Sequence, residues 1–150
     1  MQNSLPPCVL VCEDDLAMIR IFQFLLRQQG VPNVITTSNG ESVPALAAQN
    51  RPALILLDIM LPGKDGLTVL RDLKTNPATR EIPVIVVSGK ESHLQVKDAM
   101  AAGAIDYVIK PFEPMELGTR IKNFLEAMRN TTPNNAVQAP PPSTGIGGIR

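Results

Sequence analysis

Ala53-Leu-Ile-Leu-Leu-Asp58-Ile-Met-Leu-Pro-Gly-Lys-Asp-Gly66 decides the fold. Its first part is a continuous apolar run, short, preceded by Pro52 and followed beyond the acid by Pro62-Gly63. A run of that length reads as a strand buried on both faces, the kind found in the middle of a parallel sheet. Asp58 stands where the run ends, a carboxylate at the rim of a hydrophobic wall. Such a group costs free energy unless something compensates it. Asp58 therefore needs partners, and the rest of the chain supplies them.

Upstream, Cys8-Val-Leu-Val-Cys12 is a first strand that ends in Glu13-Asp14-Asp15. A helix follows with Leu16, Ile19, Phe22, Leu25 and Leu26 as its apolar stripe, and Gly30 stops it. The acids of its first turn suit the positive end of the helix dipole. Val34-Ile-Thr-Thr37 is a second strand. Ser38-Asn39-Gly40 then turns into a helix reaching Gln49, whose start Pro44 should delay or distort by removing a backbone donor.

Downstream of the organising strand, Lys64-Asp65-Gly66 turns into a helix reaching about Thr75, with Leu67, Leu70 and Leu73 inward. Pro83-Val-Ile-Val-Val-Ser88 is a fourth strand, and a helix follows from about Ser92 to Ala102, stopped by Gly103. Asp106-Tyr-Val-Ile109 is the fifth strand, closed by Lys110-Pro111. A last helix runs from about Pro114 to Met128, with Leu117, Ile121, Phe124, Leu125 and Met128 at helical spacing. Strand and helix alternate five times, which argues an α/β domain with a parallel sheet. Beyond Arg129 the composition shifts to Thr, Pro, Asn and Gly, and residues 130–150 read as a disordered tail or a linker.

Composition sets the outer bounds. A chain of 150 residues suits one domain with a proper core. Fourteen basic and fourteen acidic residues cancel, so no global field draws the chain to nucleic acid or to a membrane surface. No apolar stretch approaches ~20 residues, the length of a membrane span, and no signal peptide opens the chain, so a cytoplasmic location is expected. Cys8 and Cys12 share one side of a strand at a separation that forbids a disulfide, and they read as small buried residues. His93 is the sole histidine and reads as a surface residue near a helix start.

In open α/β sheets ligands bind beyond the carboxyl ends of the strands. Those ends carry Glu13 and Asp14, Asp58, Ser88 and Lys110. If the four strands are neighbours, these side chains meet in one pocket. Clustered carboxylates repel, and a bound cation is a common solution; an all-oxygen set suits Mg²⁺. Lys110 and Ser88 are donors suited to the oxygens of a phosphoryl group. Asp58 is then a nucleophile for an aspartyl phosphate.

Four stretches carry a resemblance: Val-Leu-Val-Cys-Glu-Asp-Asp, Leu-Ile-Leu-Leu-Asp-Ile-Met-Leu-Pro-Gly-Lys-Asp-Gly, Pro-Val-Ile-Val-Val-Ser-Gly and Asp-Tyr-Val-Ile-Lys-Pro-Phe. Between about Val9 and Met128 the chain resembles the receiver domain of bacterial two-component response regulators, of the chemotaxis-regulator kind. The resemblance implies a doubly wound, flavodoxin-like five-stranded parallel sheet of order 2-1-3-4-5 with five helices. The expected layout is an N-terminal extension over residues 1–7, a receiver domain over 8–129 and the tail over 130–150.

The resemblance further implies that Asp58 accepts a phosphoryl group from a histidine kinase or a phosphotransfer protein. Glu13, Asp14, Asp58 and the backbone carbonyl of Met60 would hold Mg²⁺, while Ser88 and Lys110 contact the phosphoryl oxygens. Ser88 and Tyr107 would act as the switch, reshaping the face made by the fourth helix, fifth strand and fifth helix. That face would meet a downstream target protein, an output domain outside this chain or a second copy in a homodimer; no direct nucleic acid or membrane contact is implied. Lys110-Pro111 resembles a bond that is usually cis. Three features depart from the commonest pattern: Glu13 stands for Asp, Ser88 for Thr and Gly89 for Ala. Met60 and Lys90 occupy positions that tune dephosphorylation.

Such a module catalyses its own phosphorylation and dephosphorylation and is no metabolic enzyme. A phosphatase working through an aspartyl phosphate would place a second Asp two residues after the nucleophile, where this chain has Met60. A phosphorylation-independent scaffold would have lost an acid, the hydroxyl or the lysine, and a flavin module would need more aromatic rings. Too few residues follow Met128 for an output domain, which leaves open a stand-alone receiver or an excised one whose linker begins near Asn130.

Overall fold

The computed structural model describes residues 7–89 and 93–129. Five strands, β1 (Cys8–Cys12), β2 (Asn33–Thr37), β3 (Leu54–Leu57), β4 (Val84–Ser88) and β5 (Asp106–Ile109), alternate with five helices. The helices are α1 (Leu16–Gln28), α2 (Val43–Asn50), α3 (Gly66–Thr75), α4 (His93–Ala101) and α5 (Pro114–Arg129). All pairings are parallel and the sheet order is β2-β1-β3-β4-β5, as the resemblance implies. The Lys110-Pro111 peptide is cis, and Cys8 and Cys12 are free thiols. The expected tail, the extension up to residue 6 and Lys90 lie outside the described residues.

The run Leu54–Leu57 is buried throughout because it feeds two cores at once. Ile55 and Leu57 join Leu10, Val84 and Val86 under α2, α3 and α4. Leu54 and Leu56 join Val9, Val11, Ile85 and Val87 under α1 and α5. The period of two that sends successive side chains to opposite faces is thus satisfied by apolar groups on both. Burying each such side chain is worth about 1.5–3 kcal/mol.

Helix ends follow local chemistry. Asp15 caps α1 by accepting the Ala17 N–H at 3.0 Å, so it is the cap residue and not an acid of the first turn. Gly30 ends that helix at φ +81°. Pro44 does delay α2: a 3₁₀ turn over Gly40–Ser42 comes first, and Pro44 falls in the first turn of α2, where its missing donor is harmless. Asp65 caps α3 through the Thr68 N–H at 3.1 Å. One sequence expectation fails: Leu16 is 61% exposed. It is the first residue of α1, and of the stripe only Phe22, Leu25 and Leu26 are buried.

Candidate functional site: an acidic pocket at the switch point

β1 pairs with β2 on one side and β3 on the other, and the chain reverses its winding between β1 and β3. A crevice opens there beyond the strand ends. The ladder continues one residue past each strand and fixes the site backbone. Glu13 N–H donates to Thr37 O at 3.0 Å, Asp58 N–H to Cys12 O at 3.0 Å and Lys110 N–H to Ser88 O at 2.9 Å. The pocket therefore inherits the rigidity of the sheet.

Glu13, Asp14 and Asp58 each offer an oxygen within 4.8 Å of the others. Lys110 Nζ sits between two of them, 2.8 Å from Glu13 Oε1 and 2.8 Å from Asp58 Oδ2. Glu13 and Asp58 are buried, Lys110 is largely covered and Asp14 faces solvent. The other Asp58 oxygen, Oδ1, accepts the Met60 N–H at 2.8 Å, and Glu13 Oε2 accepts the Asp15 N–H at 3.1 Å. Three carboxylates against one ammonium leave two negative charges uncompensated. A hard divalent cation matches both that charge and the oxygen donors.

The electrostatics follow burial first. Burial pushes the Glu13 carboxyl above its ordinary range; hydrogen bonds from Lys110 and the Asp15 amide pull the other way without cancelling it. Burial disfavours the Lys110 charge, but its bonds to Asp58 and Glu13 outweigh that and its pKa is raised. Both partners of the pair thus shift upward, Glu13 through burial and Lys110 through its bonds to the two carboxylates.

Ser88 is fully buried at the end of β4, and its side chain hydrogen-bonds that of Tyr107, which packs its ring against the α2–α3–α4 core. Burial raises the Tyr107 pKa, the Ser88 bond lowers it and the Asp58 charge raises it again. Tyr107 is the sole tyrosine and there is no tryptophan, so an ultraviolet pH titration reads it alone. Its midpoint is expected above ~10, the value of an unperturbed tyrosine. The neutral phenol then stabilises the fold fully below the ordinary value, and that contribution is lost as pH rises through the raised one. A midpoint at or below the ordinary value would refute this environment.

The structure thus brings Glu13, Asp14, Asp58 and Lys110 together and links Ser88 to Tyr107. Met60 meets Asp58 through its amide. The Asp15 side chain caps α1, while its amide holds Glu13. Asn39 and Gly40, read from sequence only as a turn, support the site from the β2 side. Gly40 N–H donates to Pro62 O at 3.0 Å, and Asn39 Oδ1 lies against Gly63, where an added Cβ would come within 2.2 Å. The Asn-Gly pair was the visible signal; its contact with the Asp58 loop was not. At the opposite edge of the sheet a cleft of about 490 Å³ is lined by Cys8, Asn33, Asn50 and Arg51 among others, and none of its lining residues is acidic.

The acid pocket lies at the switch point of a doubly wound parallel sheet, the place where such folds bind ligands. The chain belongs to the response regulator receiver domain family, whose model matches residues 9–122. It is 36% identical over 132 residues to the transcriptional regulatory protein AruR of Pseudomonas aeruginosa, covering 85% of this chain and 52% of AruR. The curated relatives it matches extend further: the chain spans about half of AruR and a quarter of the response regulator PleD of Caulobacter vibrioides. Among solved structures, the Mn²⁺-bound form of response regulator Rcp1 matches with a TM-score of 0.70 and 28% identity, over 85% of this chain and 97% of that one. The BeF₃-activated N-terminal receiver domain of Klebsiella pneumoniae RstA matches at 0.71 and 30%, over 79% and 97%. Receiver domains are signalling modules and not enzymes of metabolism. Among the described residues, no helix is long and apolar enough to cross a membrane.

Proposed function

We propose that this chain is a phosphorylation-activated receiver whose Asp58 takes a phosphoryl group from a histidine kinase or a phosphotransfer protein. The observation that carries this reading is the convergence of Lys110 on Asp58 within a three-carboxylate cluster. In the transfer the phosphorus–nitrogen bond of a phosphohistidine breaks and a bond to an Asp58 carboxylate oxygen forms. Glu13, Asp14, Asp58 and the Met60 carbonyl would hold Mg²⁺, which supplies charge neutralisation for the incoming oxygens. The Met60 amide orients Asp58, while Lys110 and Ser88 donate to the phosphoryl oxygens. Two relatives support the chemistry, one with Mn²⁺ bound and one activated with BeF₃.

The test is intact-protein mass after incubation with Mg²⁺ and a small acyl phosphate. One added phosphoryl group is expected in the wild type, with none after EDTA treatment or in Asp58→Ala. An adduct that survives Asp58→Ala would remove Asp58 from the role.

The output reading places the signal on the face of α4, β5 and α5. Leu94 and Met100 of α4 are exposed at 71% and 42% and Ile109 of β5 at 37%, and Tyr107 of β5 is linked to Ser88. The occupant of the face is a target protein, an output domain or a second copy. Tyr107→Ala is expected to weaken binding of such a partner at least tenfold while Asp58 still takes up phosphate. Equal affinity in the variant would sink the switch role of Tyr107.

A further inference from the structure

Both oxygens of Glu13 are engaged, one by Lys110 Nζ at 2.8 Å and one by the Asp15 amide at 3.1 Å. Asp58 is likewise held on both sides, by Lys110 and by the Met60 amide. Only Asp14 of the three acids has no hydrogen bond or ion pair among the described residues. A cation entering this cluster therefore meets a competitor: the ammonium of Lys110 already bridges two of the three carboxylates. Of its two contacts, the one to Glu13 depends on side-chain length. A glutamate reaches Nζ, whereas an aspartate on the same backbone stops about one methylene short.

We propose that the Glu13–Lys110 ion pair is a latch on the cation site. Binding of a divalent cation draws the Glu13 carboxylate off Lys110, and the ammonium, kept by Asp58, is released to face whatever anion Asp58 receives. The latch lowers cation affinity and ties the availability of Lys110 to cation occupancy. This inference rests on the reading of the pocket as a cation site.

The test is a double-mutant cycle in Mg²⁺ affinity, read by titration calorimetry on the unphosphorylated chain. Ionic strength and pH are held constant across all four proteins of the cycle. Glu13→Asp keeps the pocket's charge and shortens the latch; Lys110→Met removes the ammonium. Glu13→Asp is expected to bind Mg²⁺ at least threefold tighter than wild type. Lys110→Met is expected to tighten binding about tenfold in the wild-type background and at most about threefold beside Glu13→Asp, the shortfall being the coupling between the two side chains. Equal gains in the two backgrounds would mean that Lys110 acts through its charge on the whole pocket, and would overturn the latch. Should Lys110→Met fail to fold, Glu13→Asp decides alone, and affinity equal to or weaker than wild type overturns the proposal. Absence of saturable Mg²⁺ binding in the wild type overturns the cation-site reading and the latch together, whereas binding without coupling removes only the latch.

Discussion

Gly66→Ala is expected to lower the stability of this protein by at least about 3 kcal/mol, or to prevent folding, given a total of roughly 5–15 kcal/mol for domains of this size. A Cβ at Gly66 would lie 2.2 Å from Ile59 Cα and 2.5 Å from Ile59 O. These are backbone atoms of the loop that follows Asp58, so no rotamer change relieves the overlap. Either α3 lifts off or the Ile59-Met60 segment shifts, and with it the Met60 amide that orients Asp58. Gly89→Ala is the control, because nothing lies within 4 Å of a Cβ there. It should change stability by well under 1 kcal/mol, with a slight gain from reduced unfolded-state entropy. Urea unfolding of the two variants checks both statements. A Gly66→Ala midpoint equal to wild type would mean that the α3 contact yields freely.

Lys110→Met is the second variant with a large effect, expected to cost about 3 kcal/mol at neutral pH. It leaves two carboxylates, 1% and 7% exposed, facing each other with no cation between them. The loss should depend on pH. The Glu13 carboxyl already sits above its ordinary value of 4.5 because of burial, and losing the Lys110 hydrogen bond pushes it further up. A carboxyl raised in the fold holds its proton more tightly folded than unfolded. Its stabilising contribution is thus complete below the ordinary value and lost as pH rises through the raised one. The deficit should be smallest near the ordinary glutamate value and grow as pH rises through the raised one. Saturating divalent cation should close a little under half of it, since it stabilises both proteins and only the variant's roughly tenfold tighter binding, about 1.4 kcal/mol, narrows the gap. Thermal melts across pH, with and without Mg²⁺, check this. A deficit independent of both would show that the lysine's role is packing of its stem.

Much of this was legible in the chain because local rules and tertiary demands agree. The unbroken run before Asp58 could only be a strand covered on both sides, and β3 is buried from Leu54 to Leu57. The polar residues closing each apolar run marked the pocket, because a parallel sheet puts all its carboxyl ends along one edge. Pro44 foretold the irregular entry to α2. What stayed hidden depends on long-range geometry. Lys110 lies 97 positions from Glu13, and no spacing rule says that it bonds Glu13 as well as Asp58. Leu16 fits the helical period yet faces water, because periodicity says which side of a helix is apolar but not which of its residues are covered. Gly66 read as the end of a turn; its closeness to Ile59 depends on how tightly α3 packs.

Near one end of α5, Gly118 meets Leu25 of α1 so closely that an added Cβ would stand 3.3 Å from its methyl. That contact would serve as a fulcrum for a tilt of α5. Four residues of α5 lie before it and eleven after it. At equal rise per residue, any tilt about it therefore moves the Arg129 end about three times as far as the Pro114 end. The short arm joins the loop that carries Lys110, and the long arm points away from the pocket. A displacement of half an ångström beside the acids thus becomes about one and a half at the far end, a mechanical gain set by where the chain placed its glycine.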